Sequence, residues 1–217
     1  MKGIIFDLDG TMIDNMMVHH QAWQRKLASL GMHLTIEEVM DQIHGINEEI
    51  VLRLFGDRFS EEERARISWE KEKEYRDIFA DQLQLLPGLP DFLQHLKQTD
   101  IPLAIGTAAP PENVDFVLDN LNLRSFFSAV INSKDVNLGK PNPEVFLKSA
   151  ENIGIPIEDC LVFEDSVVGA ETALNAGCPV VVVTTTHQRE EFTHFPHVIK
   201  FIENYHNLQL EDLARLH

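Results

Sequence analysis

The chain has 217 residues and carries 35 Asp and Glu against 18 Lys and Arg, a formal charge of −17. With no Lys/Arg block, that balance excludes a nucleic-acid-binding face. No apolar run approaches the ~18 residues that a bilayer span requires, and the start MKGIIFDLDG is too short and too quickly acidic for a signal peptide, so a soluble cytoplasmic protein without a membrane partner is expected.

The first element is the run GIIFDL at 3–8. Continuous rather than alternating hydrophobicity predicts a strand buried on both faces of a parallel sheet. Residues 16–83 contain no convincing strand. Met16, His19, Trp23, Leu27 and Leu30 share one helical face that Gly31 closes. Thr35 with Glu38, and Ser60 with Glu63, read as capping boxes. Ile67, Lys71, Tyr75 and Ile78 share a face of a strongly charged helix. A small helical bundle is thus expected between the first strand and a turn at Leu86-Pro87-Gly88.

After that turn the pattern alternates. Apolar runs at 102–106, 128–131, 160–163 and 179–183, with a weaker one at 197–201, predict strands. Between them, 111–121, 143–154 and 166–177 read as helices, the last two ending on glycine. The expected fold class is α/β: a doubly wound, mainly parallel, Rossmann-like sheet with an inserted helical-bundle cap domain. The expected boundaries are 1–15 and 84–217 for the core and 16–83 for the cap. Cys160 and Cys178 have no metal-like spacing and read as small core residues. The 10 histidines form no zinc pattern.

Ligands of open α/β sheets sit at the carboxyl ends of the strands. Here those ends carry Asp7 and Asp9, Thr107, and Glu164-Asp165, with Lys140 a short loop after the third strand. Converging carboxylates at 7, 9, 164 and 165 repel unless a cation neutralises them, and hard oxygen ligands select Mg²⁺ over Zn²⁺. Lys140 and Thr107 add a cation and a hydroxyl for a phosphate, which points to phosphoryl transfer. Asp7 is the expected nucleophile and Asp9 the acid/base.

Asp7-Leu8-Asp9-Gly10-Thr11, Thr107, Gly139-Lys140-Pro141 with Pro143, and Phe163-Glu164-Asp165-Ser166 with Gly169 resemble, in order, the four motifs of the haloacid dehalogenase superfamily. Over the whole chain the resemblance is nearest the β-phosphoglucomutase-like branch. It implies Mg²⁺ held by Asp7, the Asp9 carbonyl, Glu164 and Asp165, and a transferred phosphate held by Thr107 and Lys140. In the cap, His19 and Lys71 match mutase positions, and His44 and Glu48 are further candidate substrate contacts. The cap arginine that grips a distal phosphate in mutases falls on Glu48, and the serine and asparagine serving that phosphate fall on Ala109 and Pro111. A charge-assisted hydrogen bond to phosphate is worth roughly 1.5–3 kcal/mol, so these losses favour hydrolysis of a monophosphate, by a monomer, over mutase action on a bisphosphate. A sugar phosphomutase is the alternative, and a catalytically silent binding module of the same fold is the alternative of another class. Plainer readings stay open for individual residues. Lys71 can be a snorkelling side chain, Glu48 a helix N-terminal acid, and Asp165 a helix cap.

Overall fold

The computed structural model describes residues 1–43 and 45–214. The chain divides into two compact units, Met1–Asp14 with Gln84–His217, and Asn15–Leu83. In chain order the elements are β1 (Gly3–Phe6), α1 (Met16–Ser29), α2 (Ile36–Gln42), α3 (Asn47–Phe55), α4 (Glu61–Phe79), α5 (Leu89–Leu96), β2 (Leu103–Gly106), α6 (Pro111–Asn120), β3 (Ala129–Ile131), α7 (Glu144–Asn152), β4 (Cys160–Glu164), α8 (Val167–Ala176), β5 (Val180–Val183), β6 (Val198–Ile202) and α9 (Leu210–Ala214).

The larger unit is built on a six-stranded sheet of order β3-β2-β1-β4-β5-β6. Every pairing is parallel. The inner strands β1, β2, β4 and β5 are buried at every residue, which is why their sequences are unbroken apolar runs. β3 and β6 are the edges and are mostly half-buried, which explains the weaker signal around 198. Strand order reverses direction between β1 and β4, so the crevice at their carboxyl ends is the topological switch point. One face of the sheet packs Ile5, Val162 and Val180 with Phe146 of α7 and Ala170 and Ala173 of α8. Cys160 and Cys178 belong to the same cluster, both as free thiols. An aromatic group lies beneath the switch point: Phe6 stacks on Phe163 at 4.9 Å, and Tyr205 and Phe92 pack against it.

The smaller unit is helical. Its core joins Trp23 and Leu27 of α1, Val39 of α2, Ile50 and Val51 of α3, and Ile67 of α4. Both capping boxes form as expected, Thr35 with Glu38 and Ser60 with Glu63. On α4 the buried face is Ile67, Ser68, Lys71, Glu72, Tyr75 and Phe79. Ile78, placed on that face by its spacing, is only half-buried, and Phe79 one step further round takes its place. No described helix is long and apolar enough to cross a membrane.

Phe163 is fully buried within the aromatic group, directly before the strand-end acids in sequence. Phe163→Ala is expected to destabilise the protein by about 3–5 kcal/mol, the usual cost of emptying such a site. Urea unfolding checks this, with a lowered midpoint at an unchanged slope.

Candidate active site

Parallel pairing brings the ends of β1 and β4 level, with Phe6 opposite Phe163. Asp7 is the first residue beyond β1, and its N–H still donates to the Phe163 carbonyl at 2.9 Å. Its carboxylate therefore emerges beside Glu164 and Asp165. Side-chain oxygens of these three acids lie within 4.8 Å of one another, and all three residues are buried. Lys140 binds across the group, with Nζ 2.8 Å from Asp7 Oδ1 and 2.6 Å from Glu164 Oε1. Its side chain is 9 % exposed, and the ammonium also sits 4.8 Å from the centre of the Phe146 ring.

The electrostatic balance is unfavourable for the acids. Burial pushes the Asp7 carboxyl up to about 7; Lys140 pulls against that shift, and Glu164 and Asp9 add to it. Burial, then Glu164 and Asp7, hold Asp165 well above the ordinary carboxylate range. Burial disfavours the Lys140 charge, but Asp7 and Glu164 outweigh it and the lysine is held above its ordinary value. One ammonium does not neutralise three carboxylates.

The acids are nevertheless held in place. Glu164 Oε2 accepts from the N–H groups of Asp165 and Ser166, each at 2.7 Å, and from the Ser166 hydroxyl at 2.9 Å. Ser166, not Asp165, caps α8, its hydroxyl accepting from Gly169 N–H. A Cβ on Gly169 would lie 1.8 Å from the Glu164 carboxyl, so α8 approaches this closely only because it has a glycine there. Thr11 Oγ1 donates to Asp165 Oδ1 at 3.3 Å. Gly10 has a φ of +71°, and a Cβ there would stand 2.1 Å from Asp165 Oδ2.

Three buried oxygen donors within reach of one point, short of positive charge, fit a hard divalent cation. The Asp9 side chain is not among them, although its charge is felt at Asp7. Thr107 stands at the next strand end: β2 pairs with β1, and Thr107 N–H donates to Ile131 of β3 at 3.0 Å. Its oxygen accepts from Ala109 N–H at 3.1 Å, which leaves the hydroxyl hydrogen to donate.

A family model described as haloacid dehalogenase-like hydrolase matches residues 1–177. The chain belongs to that family. It is 32% identical over 184 residues to hexitol phosphatase A of Escherichia coli, covering 84% of this chain and 82% of that protein. It is 30% identical over 182 residues to the phosphorylated carbohydrates phosphatase of Thermotoga maritima, covering 82% of each. The fold is also that of β-phosphoglucomutase from Clostridium difficile, with a TM-score of 0.84 at 24% identity over 100% of this chain and 96% of that one. Within this haloacid dehalogenase-like hydrolase, Asp7, Glu164 and Asp165 lie together at the switch-point crevice of β1 and β4.

The remaining candidates lie in the helical unit. His19 stacks on Tyr75 at 3.8 Å, and its Nδ1 is 2.8 Å from Lys71 Nζ. Lys71 does not snorkel to water; it is 2 % exposed and also binds Glu72 Oε1 at 2.8 Å. Asn47 Nδ2 donates to the same Glu72 oxygen at 2.7 Å, and Asn15 donates to the Tyr75 hydroxyl at 2.6 Å. Glu48 lies in the first turn of α3, where an acid favours the helix end. His44 lies outside the described residues. Sequence reasoning did not single out Glu72, Asn47 or Asn15, and it gave Thr11 no role of its own.

An ammonium has only hydrogens to offer, so His19 Nδ1 must accept. Burial, with Lys71 next, lowers His19 to about 3. The unfolded chain therefore takes up a proton below about 6.5 that the folded chain refuses. The stability His19 contributes is full above that pH and is lost as pH falls toward 3. In an NMR titration the His19 ring signals are expected to stay flat from pH 8 to 5. A midpoint near the free-histidine value would contradict the buried geometry.

Proposed function

We propose that the protein is a Mg²⁺-dependent phosphoric monoester hydrolase that acts on a small phosphorylated metabolite, a sugar phosphate or similar monophosphate. The observation that carries this reading is the convergence of Asp7, Glu164 and Asp165 with Lys140 at one strand-end crevice. Relatives named phosphorylated carbohydrates phosphatase and hexitol phosphatase A support the substrate class.

In this reading Asp7, the Asp9 carbonyl, Glu164 and Asp165 hold Mg²⁺, which offsets charge on the bound phosphate. Thr107 and Lys140 hold the phosphate's oxygens. An Asp7 oxygen attacks phosphorus, and the ester P–O bond breaks as Asp9 gives its proton to the departing alcohol. Asp9 then takes a proton from water as that water attacks phosphorus. The bond to Asp7 breaks, inorganic phosphate leaves, and both acids return to their starting state.

We take the helical unit Asn15–Leu83 as the cap that selects the substrate, with His19, Lys71, Glu48 and His44 as the candidate contacts. Lys71 already spends its charge on Glu72. Ala109 is a buried apolar residue whose N–H is engaged by Thr107, and Pro111 has no N–H. None of these offers a free anchor for a second phosphate, which supports monophosphate hydrolysis over a mutase cycle.

A Mg²⁺-supplemented panel of sugar and polyol monophosphates and bisphosphates, read as kcat/KM, tests this. Monophosphates should be hydrolysed in preference to bisphosphates, and Asp7→Asn should lower kcat by at least about 10³-fold. Phosphate release by Asp7→Asn at the parent rate, or bisphosphate-dependent isomerisation without net hydrolysis, would overturn the proposal.

A further inference from the structure

β5 is followed by three consecutive threonines, Thr184, Thr185 and Thr186, which no part of the mechanism above uses. Each has a defined partner. Thr184 closes the end of β5 through its N–H and hydroxyl, both on the Ile202 carbonyl of β6. Thr185 Oγ1 donates to the Gly10 carbonyl. The Thr186 hydroxyl lies beside the Asp165 carboxylate, the two oxygens crowding the same bare face of Gly10.

The last two reach the acid cluster from the loop after β5. Two hydroxyls then stand at Asp165: Thr11, from the loop after β1, donates to its Oδ1, and Thr186, from the loop after β5, lies on the Oδ2 side. At Gly10 the two loops meet without room for a side chain: a Cβ would lie 2.1 Å from Asp165 Oδ2 and 2.9 Å from Thr186 Oγ1. Tyr205 adds a third hold on the loop after β1, its hydroxyl donating to the Thr11 carbonyl at 3.0 Å.

A carboxylate that ligates a cation through one oxygen needs its orientation fixed by partners on the carboxyl group. Asp165 has no Lys140 contact comparable to those of Asp7 and Glu164. We propose that the Thr185-Thr186 turn is a positioning element for the cation site, with Thr186 orienting Asp165 and Thr185 fixing the Gly10 turn that packs against it. This rests on the reading that Asp165 is a Mg²⁺ ligand.

The test compares the parent protein with Thr186→Val, Thr186→Ser and Asp165→Asn by calorimetric titration with Mg²⁺ alone, and by the Mg²⁺ dependence of the phosphatase rate. Valine keeps the shape and removes the hydroxyl; serine keeps the hydroxyl. Thr186→Val should weaken Mg²⁺ about tenfold and raise the half-saturating Mg²⁺ concentration in proportion, so that added Mg²⁺ recovers the rate. Thr186→Ser should restore both quantities to within about twofold of the parent. Parent-like Mg²⁺ affinity in Thr186→Val, or an equal loss in the serine variant, would overturn the inference while leaving Asp165 as a ligand. Parent-like affinity in Asp165→Asn would overturn the reading on which it rests.

Discussion

Three carboxylates share a buried crevice with a single ammonium, and the design of the larger unit follows from that crowding. Removing acids from water is costly, and setting them beside one another adds to the cost. The raised values of Asp7 and Asp165 express this strain. A folded chain keeps such a cluster only when surrounding structure over-determines it. Here the surroundings are the ends of β1 and β4, the aromatic group beneath them, and donors on the carboxylates: Lys140 to Asp7 and Glu164, two N–H groups and Ser166 to Glu164, and Thr11 to Asp165.

Backbone proximity makes the arrangement specific. Gly10 and Gly169 each abut a carboxylate at a distance no side chain could tolerate. Glu164 is held by two N–H groups at the start of α8, and the loop after β1 is anchored through its carbonyls by Thr185, Tyr205 and Leu86. The chain thus spends hydrogen bonds on aiming negative charge at one point. Such pre-organised positioning is the main protein contribution expected of a phosphoryl-transfer site. The helical unit has its own buried charges, but there the cation and anion are matched, Lys71 with Glu72.

Much of this was legible in the sequence because strand burial writes itself as unbroken apolar runs. The acids after Phe6 and Phe163 stand out against those runs, and the strand-end rule then gathers Asp7, Glu164, Asp165 and Lys140. Both capping boxes were readable because their partners lie three residues apart. The unread features depend on tertiary contact. Thr185 and Thr186 follow an apolar run just as Asp7 does, but hydroxyls at a strand end are common and their partners lie far off in sequence. Lys71 and Glu72 are helix neighbours, whose side chains ordinarily diverge; their contact forms among tertiary partners, with Asn47 on Glu72 and His19 on Lys71. The choice of Phe79 over Ile78 turned on one step of helix rotation, which spacing alone does not resolve.

If the acid cluster is a cation site and not an ion-paired relic, the folded protein must gain stability from Mg²⁺. Thermal unfolding with and without Mg²⁺, at constant ionic strength, tests it most directly. Saturating Mg²⁺ is expected to raise Tm by on the order of 5 °C, and Asp165→Asn to lose most of that rise. Identical melting curves in Mg²⁺ and in chelator for the wild-type protein would contradict it.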